Sequence, residues 1–343
     1  MTSKGISYAL AMTFLLFTCG DSVKARGPER GFDPHQPVSN DGQGFSPAKG
    51  LPREITSIES FEGFGPQGLS QVRFEDTGAA VDGARPVLER PFDLWSIPNL
   101  LGLGHEGLKS IIGPDNRSQV PEVTTFPWRA VAQITFQRGG GGIGRLSRCS
   151  GWFLGPDIVV TAGSCVHSGG PGGSWATNVT VYPGQNGDSS PFGSCTAKRL
   201  YSAQGWTAKK DEQYDYGAVK LNCTLGNTVG WFGVWPQPAS LNNIALTLAG
   251  YPGDKVLTQW QSAGKVAVTQ ARQVFYENDA VSGQSGAPLF QNRAPGSRFC
   301  AGSCVLAVHT SDPHGVLPHN KYNHGTRLTQ EVANNLLAWR NAP

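Results

Sequence analysis

From Ser110 onward the apolar residues of this chain come in short alternating runs, each closed by a turn signal, a pattern that builds strands rather than long helices. The expected strands are Ala130–Phe136, Trp152–Leu154, Ile158–Val160, Tyr216–Leu221, Ile244–Ala249, Lys265–Thr269, Gln273–Tyr276, Ala287–Phe290 and Val305–His309, with Gly139–Gly144 as a hairpin loop. The 45 Gly and 24 Pro, against only 15% charged residues, favour the same reading. Their order suits an antiparallel barrel. One helix is expected, over 329–340: Thr329 can cap it, and Leu328, Val332 and Leu336 recur at four-residue spacing with Trp339 beyond.

The chain before Ser110 has a different character. Lys4, an apolar stretch from Ile6 to Phe17 too short to span a bilayer, and the small-residue exit at Val23-Lys24-Ala25 predict a cleaved secretory signal over 1–25. Residues 26–109 show no sustained period and carry net −4, whereas residues 110–343 carry net +6. An acidic leader can associate with a basic body, so the chain's own propeptide is an expected partner. Lys109, just before the apolar pair Ile111-Ile112, is the expected processing point. The mature body would then divide into two barrels at roughly 119–226 and 227–327. The net +6 is spread without a long Lys/Arg run, which argues against nucleic acid as a partner. After signal removal no membrane association is expected, and a monomer is the default.

Of the 7 cysteines, Cys19 falls in the signal. The other six suit disulfides in an oxidising compartment, in keeping with an extracellular protein. Cys149 and Cys165 bracket a strand-turn segment, and Cys195 with Cys223 and Cys300 with Cys304 are the expected remaining pairs. With no paired CxxC and no His at ligand spacing beside them, zinc on these cysteines is set aside. His314, His319 and His324 follow His309 at intervals of five, in a Gly/Pro loop whose only acidic residue is Asp312. They are expected to be solvent-exposed, and no metal or other cofactor is expected. Asn116, Asn178 and Asn222 each begin a glycosylation sequon.

Three segments carry chemistry. In Gly283-Gln284-Ser285-Gly286-Ala287-Pro288, glycines flank a serine, so the backbone can bend to aim the Ser285 hydroxyl outward and the Gly283 and Ser285 N–H groups at a developing oxyanion. Asp215 precedes the apolar Gly217-Ala218-Val219, and a carboxylate buried there needs a partner. The third segment is Thr161-Ala162-Gly163-Ser164-Cys165. The three follow one another in the order base, acid, serine, with Ser164 where the base belongs.

Together with Ser110-Ile111-Ile112-Gly113, Asp115 and Arg117, Phe126-Pro127-Trp128-Arg129-Ala130, Cys149 to Cys165, Tyr214-Asp215-Tyr216-Gly217-Ala218 and Tyr322-Asn323-His324-Gly325-Thr326-Arg327, these segments carry a resemblance. Residues 110–343 resemble the secreted glutamyl endopeptidases of the chymotrypsin-like serine protease superfamily. The resemblance implies an all-β fold of two perpendicular six-stranded barrels, an active site in the cleft between them, maturation after Lys109, and a peptide or protein substrate cut after Glu or Asp.

In such enzymes Thr-Ala-Gly is followed by His, which takes the nucleophile's proton. A serine hydroxyl is too weak a base at neutral pH, and losing the histidine of such a triad costs on the order of a million-fold in turnover. The resemblance therefore implies either a severely impaired peptidase or a pseudoprotease that binds peptides, inhibitors or protein partners in an intact cleft. His167, three residues beyond, is an alternative base that the family geometry places on the cleft rim. A histidine brought by the substrate is another. His309 matches the position that binds the substrate carboxylate, with Thr310 alongside. Five residues before Ser285 the family usually has a hydroxyl and this chain has Ala280, for which Ser282 can substitute. The α-amino group released at Ser110 would add positive charge to the same pocket.

Overall fold

The computed structural model describes residues 31–42, 63–65, 110–138, 146–295, 297 and 300–343. The expected signal, most of the leader, Lys109 and the Gly139–Gly144 loop lie outside them.

Fifteen strands are present among the described residues: β1 (Pro37–Ser39), β2 (Ser118–Gln119), β3 (Val131–Arg138), β4 (Leu146–Gly155), β5 (Ile158–Thr161), β6 (Ala176–Pro183), β7 (Cys195–Ala203), β8 (Gly217–Leu221), β9 (Gly233–Val234), β10 (Ala245–Gly250), β11 (Trp260–Thr269), β12 (Gln273–Tyr276), β13 (Pro288–Arg293), β14 (Gly302–Ser311) and β15 (Asn323–Arg327). They form two six-stranded antiparallel barrels. The first runs β7-β6-β3-β4-β5-β8 and closes through β7–β8; the second runs β10-β13-β14-β15-β12-β11 and closes through β10–β11. The expected fold class is thus observed. One boundary moves, because Ser118 and Gln119 pair with β11, which puts the start of the predicted first barrel in the second sheet.

Alternation puts Ile134, Trp152, Val159, Val181, Tyr201 and Val219 into the first core, and Leu248, Val274, Tyr276, Leu289 and Leu306 into the second. The C-terminal helix Gln330–Asn341 packs on the first. Thr329 caps it by accepting from the Val332 N–H, and Trp339, fully buried, stacks on Tyr201 with ring planes 4° apart. Burying an aromatic of this size contributes about 2–3 kcal/mol, far more than the cap.

β6, β7 and β15 were not expected. Lys198 and Arg199 interrupt β7, and β15 (Asn-His-Gly-Thr-Arg) has no aliphatic residue, yet all five of its residues are buried. Two of its polar side chains bond to distant chain: Asn323 Nδ2 donates to the Ser110 and Asn278 carbonyls, and Arg327 to those of Gln237, Ala239 and Gln270. Part of the leader also packs as a strand. β1 pairs antiparallel with Tyr201–Ala203 of β7, and the His35 carbonyl beside it accepts from Asn335 Nδ2 on the C-terminal helix.

The candidate active site

β5 ends at Thr161 and the short helix Gly163–Val166 follows, carrying Ser164. The Cys149–Cys165 disulfide ties that helix to β4. The other two expected bridges, Cys195–Cys223 and Cys300–Cys304, are also formed. Asp215 follows a 3-10 turn at Glu212–Tyr214 and is 2% exposed. Its carbonyl accepts from Thr326 Oγ1 at 3.0 Å, so the second barrel's β15 helps to hold it.

The Asp215 carboxyl faces the Ser164 helix. The Ser164 N–H donates to Oδ1 at 2.6 Å, and the Ser164 hydroxyl and Gly163 N–H bond to the same group. These bonds favour the carboxylate, but burial with no cation paired to it outweighs them and pushes its pKa up to about 7. Among the described residues no imidazole is hydrogen-bonded to Asp215 or to the Ser285 hydroxyl.

The turn bearing Ser285 is held by a residue that the sequence reading missed. Ser150, fully buried on β4, donates its hydroxyl to the Gly283 carbonyl (3.0 Å) and its N–H to the Ser285 carbonyl (2.8 Å), while its oxygen accepts from the Tyr251 N–H (2.8 Å). Gly283 and Gly286 both have positive φ, +102° and +90°, and at Gly286 a Cβ would collide with Thr161 Oγ1 and the Ser150 carbonyl. Among the described residues neither the Gly283 nor the Ser285 N–H donates to a backbone carbonyl. Ser285 Oγ has only a long contact, 3.5 Å, to the Thr310 carbonyl. A cleft of about 350 Å³ opens beside it, lined by Glu212, Ser282, Thr310, Ser311, Asp312 and His314 as well as Ser285.

His167 points elsewhere. Its Nδ1 accepts from the Gly169 N–H at 3.0 Å and its ring packs edge-on against Trp175. The group that does reach the Ser164 helix is Arg138, whose Nη2 donates to the Ser164 carbonyl at 2.6 Å and whose charge is drawn by Asp215. A guanidinium stays protonated in proteins and is no base.

His309 is buried at 1% exposure, with Nδ1 2.5 Å from Tyr276 Oη. Burial, with a contribution from His324, pulls its pKa down to about 3, so it is neutral at ordinary pH. Burial also holds the Tyr276 phenol protonated. A hydroxyl that donates to Nδ1 leaves the proton on Nε2. Thr310 Oγ1 is buried without a partner, and Ser282 is exposed at the cleft rim. Ser110 is buried, its carbonyl accepting from the Ala280 N–H and from Asn323 Nδ2.

The expectation of three exposed loop histidines needs correction. His314 is exposed, but His319 is partly buried and His324 entirely so, its ring stacked on Phe275 at 5.3 Å. All three converge on Glu212. The reason is the register of β15, which pairs with both β12 and β14 and buries position 324.

The fold and the ordered Ser285–Asp215 frame define a trypsin-like serine endopeptidase scaffold, and comparisons agree. The family model described as "Trypsin" matches residues 118–324. The glutamyl endopeptidase of Bacillus licheniformis is 41% identical over 236 residues, covering 68% of this chain and 70% of that protein. A Bacillus subtilis protein named "Extracellular metalloprotease" is 36% identical over 234 residues, with 68% and 70% covered. A solved Glu endopeptidase in complex with MPD superposes with a TM-score of 0.58 at 26% identity, covering 68% of this chain and 100% of that one. This chain belongs to the trypsin family of serine endopeptidases. Among the described residues no helix is long and apolar enough to cross a membrane.

Proposed function

We propose that the chain is a secreted, leader-bearing homologue of the glutamyl endopeptidases, with a cleft built for a Glu or Asp side chain and a proton-transfer step disabled at Ser164. The observation that carries this is the contact at Asp215. A serine, through N–H and hydroxyl, occupies the carboxyl group that would orient a catalytic imidazole. Without that imidazole, Ser285 keeps its proton. What remains is an oxyanion site and substrate binding, worth roughly 10³–10⁴ over water.

The specificity reading rests on His309, Thr310 and Ser282. With Nδ1 committed to Tyr276, neutral His309 can donate through Nε2 to a substrate carboxylate, and the unpartnered Thr310 hydroxyl supplies a second donor. Processing after Lys109 would free an α-ammonium at Ser110 and add positive charge nearby. The similarity to the B. licheniformis enzyme supports the Glu preference.

On this reading the intact cleft chiefly binds peptides, inhibitors or partner chains and cuts them slowly if at all. The test compares the 110–343 body produced by processing of the full chain, as given and as Ser164→His, on a glutamyl anilide. The restored variant should be faster by at least about 10³-fold. Equal rates would sink the claim that Ser164 disables the mechanism.

A further inference from the structure

The cluster beside the cleft has more in common with a metal centre than with a loop surface. Glu212, His314, His319 and His324 each offer one ligand atom, and the four atoms all lie within 4.8 Å of one another. They come from three places: the turn leading to Asp215, the loop after β14, and β15. We propose that these four side chains bind a divalent transition cation, zinc by their chemistry, in the wall of the cleft that holds Ser285.

Distances support the assignment. Around zinc with ligands about 2.0–2.1 Å away, the edge of the tetrahedron is about 3.3 Å. Glu212 Oε2 lies 3.2 Å from His314 Nε2 and 3.7 Å from His324 Nε2, so two edges are close to that length. The ring centroids of His314, His319 and His324 are 4.7 to 5.4 Å apart, and side-chain rotation closes the rest.

The second observation concerns unsatisfied nitrogen. His324 is 0% exposed, yet among the described residues its Nδ1 has no hydrogen-bond partner and its Nε2 only the 3.7 Å approach to Glu212, and buried His319 Nδ1 has none either. Buried polar atoms are costly to leave unpaired, and native proteins rarely gather several at one point without a ligand. His314 is already oriented as a ligand: its Nδ1–H can donate to the Asp312 carbonyl at 2.9 Å, which leaves the Nε2 lone pair towards Glu212.

Three imidazoles and one carboxylate suit zinc and its transition-metal neighbours, whereas calcium and magnesium require oxygen donors. Four protein ligands complete the tetrahedron and leave no open position, so the ion's role is structural. It would clamp the loop after β14, which supplies Asp312 and His314 to the cleft, onto the turn that precedes Asp215.

The test uses full chain without a polyhistidine tag, stripped with chelator and titrated with Zn²⁺. One zinc per chain is expected, together with a rise in Tm, and Co²⁺ should give the visible bands of tetrahedral nitrogen/oxygen coordination without thiolate charge transfer. His314→Ala and Glu212→Gln change partly or fully exposed residues. Each should keep the chelator-treated Tm of the parent while weakening zinc binding at least about 100-fold. Substoichiometric zinc in the parent, or parental affinity in both variants, would overturn the assignment. If a variant's chelator-treated Tm falls, Co²⁺ spectra of His319→Gln decide: unchanged tetrahedral bands reject the site and their loss supports it.

Discussion

The backbone N–H of Ser164 donates to Asp215 Oδ1 at 2.6 Å, so the buried carboxyl is held by the residue that follows Thr161-Ala162-Gly163. The helix stays docked because the bond uses main chain, which any side chain at 164 provides. What the side chain decides is the charge. With a hydroxyl there, Asp215 has hydrogen bonds, and the Arg138 guanidinium nearby bonds to the Ser164 carbonyl and not to the carboxyl.

That leaves a signature in stability against pH. Asp215 has a folded pKa near 7, above the ordinary 3.8, so it costs nothing below pH 4 and stability falls as pH rises from 4 to 7. His309 is shifted oppositely, from 6.5 to about 3, so its contribution is full above 6.5 and falls as pH drops towards 3. In the parent the two slopes oppose each other across pH 4–6.5. Asp215→Asn removes one of them. Its stability should rise with pH over that window and exceed the parent's above pH 7 by on the order of 4 kcal/mol, as read by urea unfolding. Parallel parent and variant curves would refute a buried, unpaired carboxyl.

The pocket makes a separate claim. In the Ser164→His background, His309→Ala should lower kcat/KM for Glu substrates by about 10²-fold, the loss of a hydrogen bond to a charged group. Tyr276→Phe should weaken the preference less, because it only releases the tautomer. Since His309 is neutral, Glu preference should hold from pH 5 to 8. A preference that titrates away near pH 6.5 would show that an imidazolium is required.

Ser150 supports the turn that bears Ser285. Ser150→Ala removes the hydroxyl from the Gly283 carbonyl and Tyr251 N–H and should cost about 1–3 kcal/mol in thermal unfolding. In the restored enzyme it should lower kcat more than it raises KM. Gly286→Ala, at φ +90° against Thr161 and Ser150, should be worse still and yield little folded protein.

A serine-directed fluorophosphonate reports on any substitute base. The parent should label at Ser285 at least about 10³-fold more slowly than Ser164→His. His167→Ala should leave the parent's slow rate unchanged, since that ring is engaged by Gly169 and Trp175. Fast labelling that His167→Ala abolishes would make His167 the base.

Much of this was legible in the chain because it is local. Gln273–Tyr276 was predicted at its observed bounds, and the Thr329 cap and the Cys149–Cys165 bridge follow from short-range pattern. β15 was illegible as a strand because its polar residues are buried by partners up to 213 positions away. Ser150 gave no signal either, since a lone serine in a strand becomes a support only when the Ser285 turn is folded against it.

The sequence by itself determined the alternation that builds two barrels, the order Ser164, Asp215, Ser285, and the serine after Thr161-Ala162-Gly163, for each is a matter of residue type and spacing. Only the tertiary structure decided that His167 faces away, that His309 is buried and neutral against Tyr276, and that three histidines judged to be exposed meet Glu212. Those are questions of which atoms share a volume and how much water reaches them. Such answers depend on strand register across the whole barrel, which no window of sequence contains.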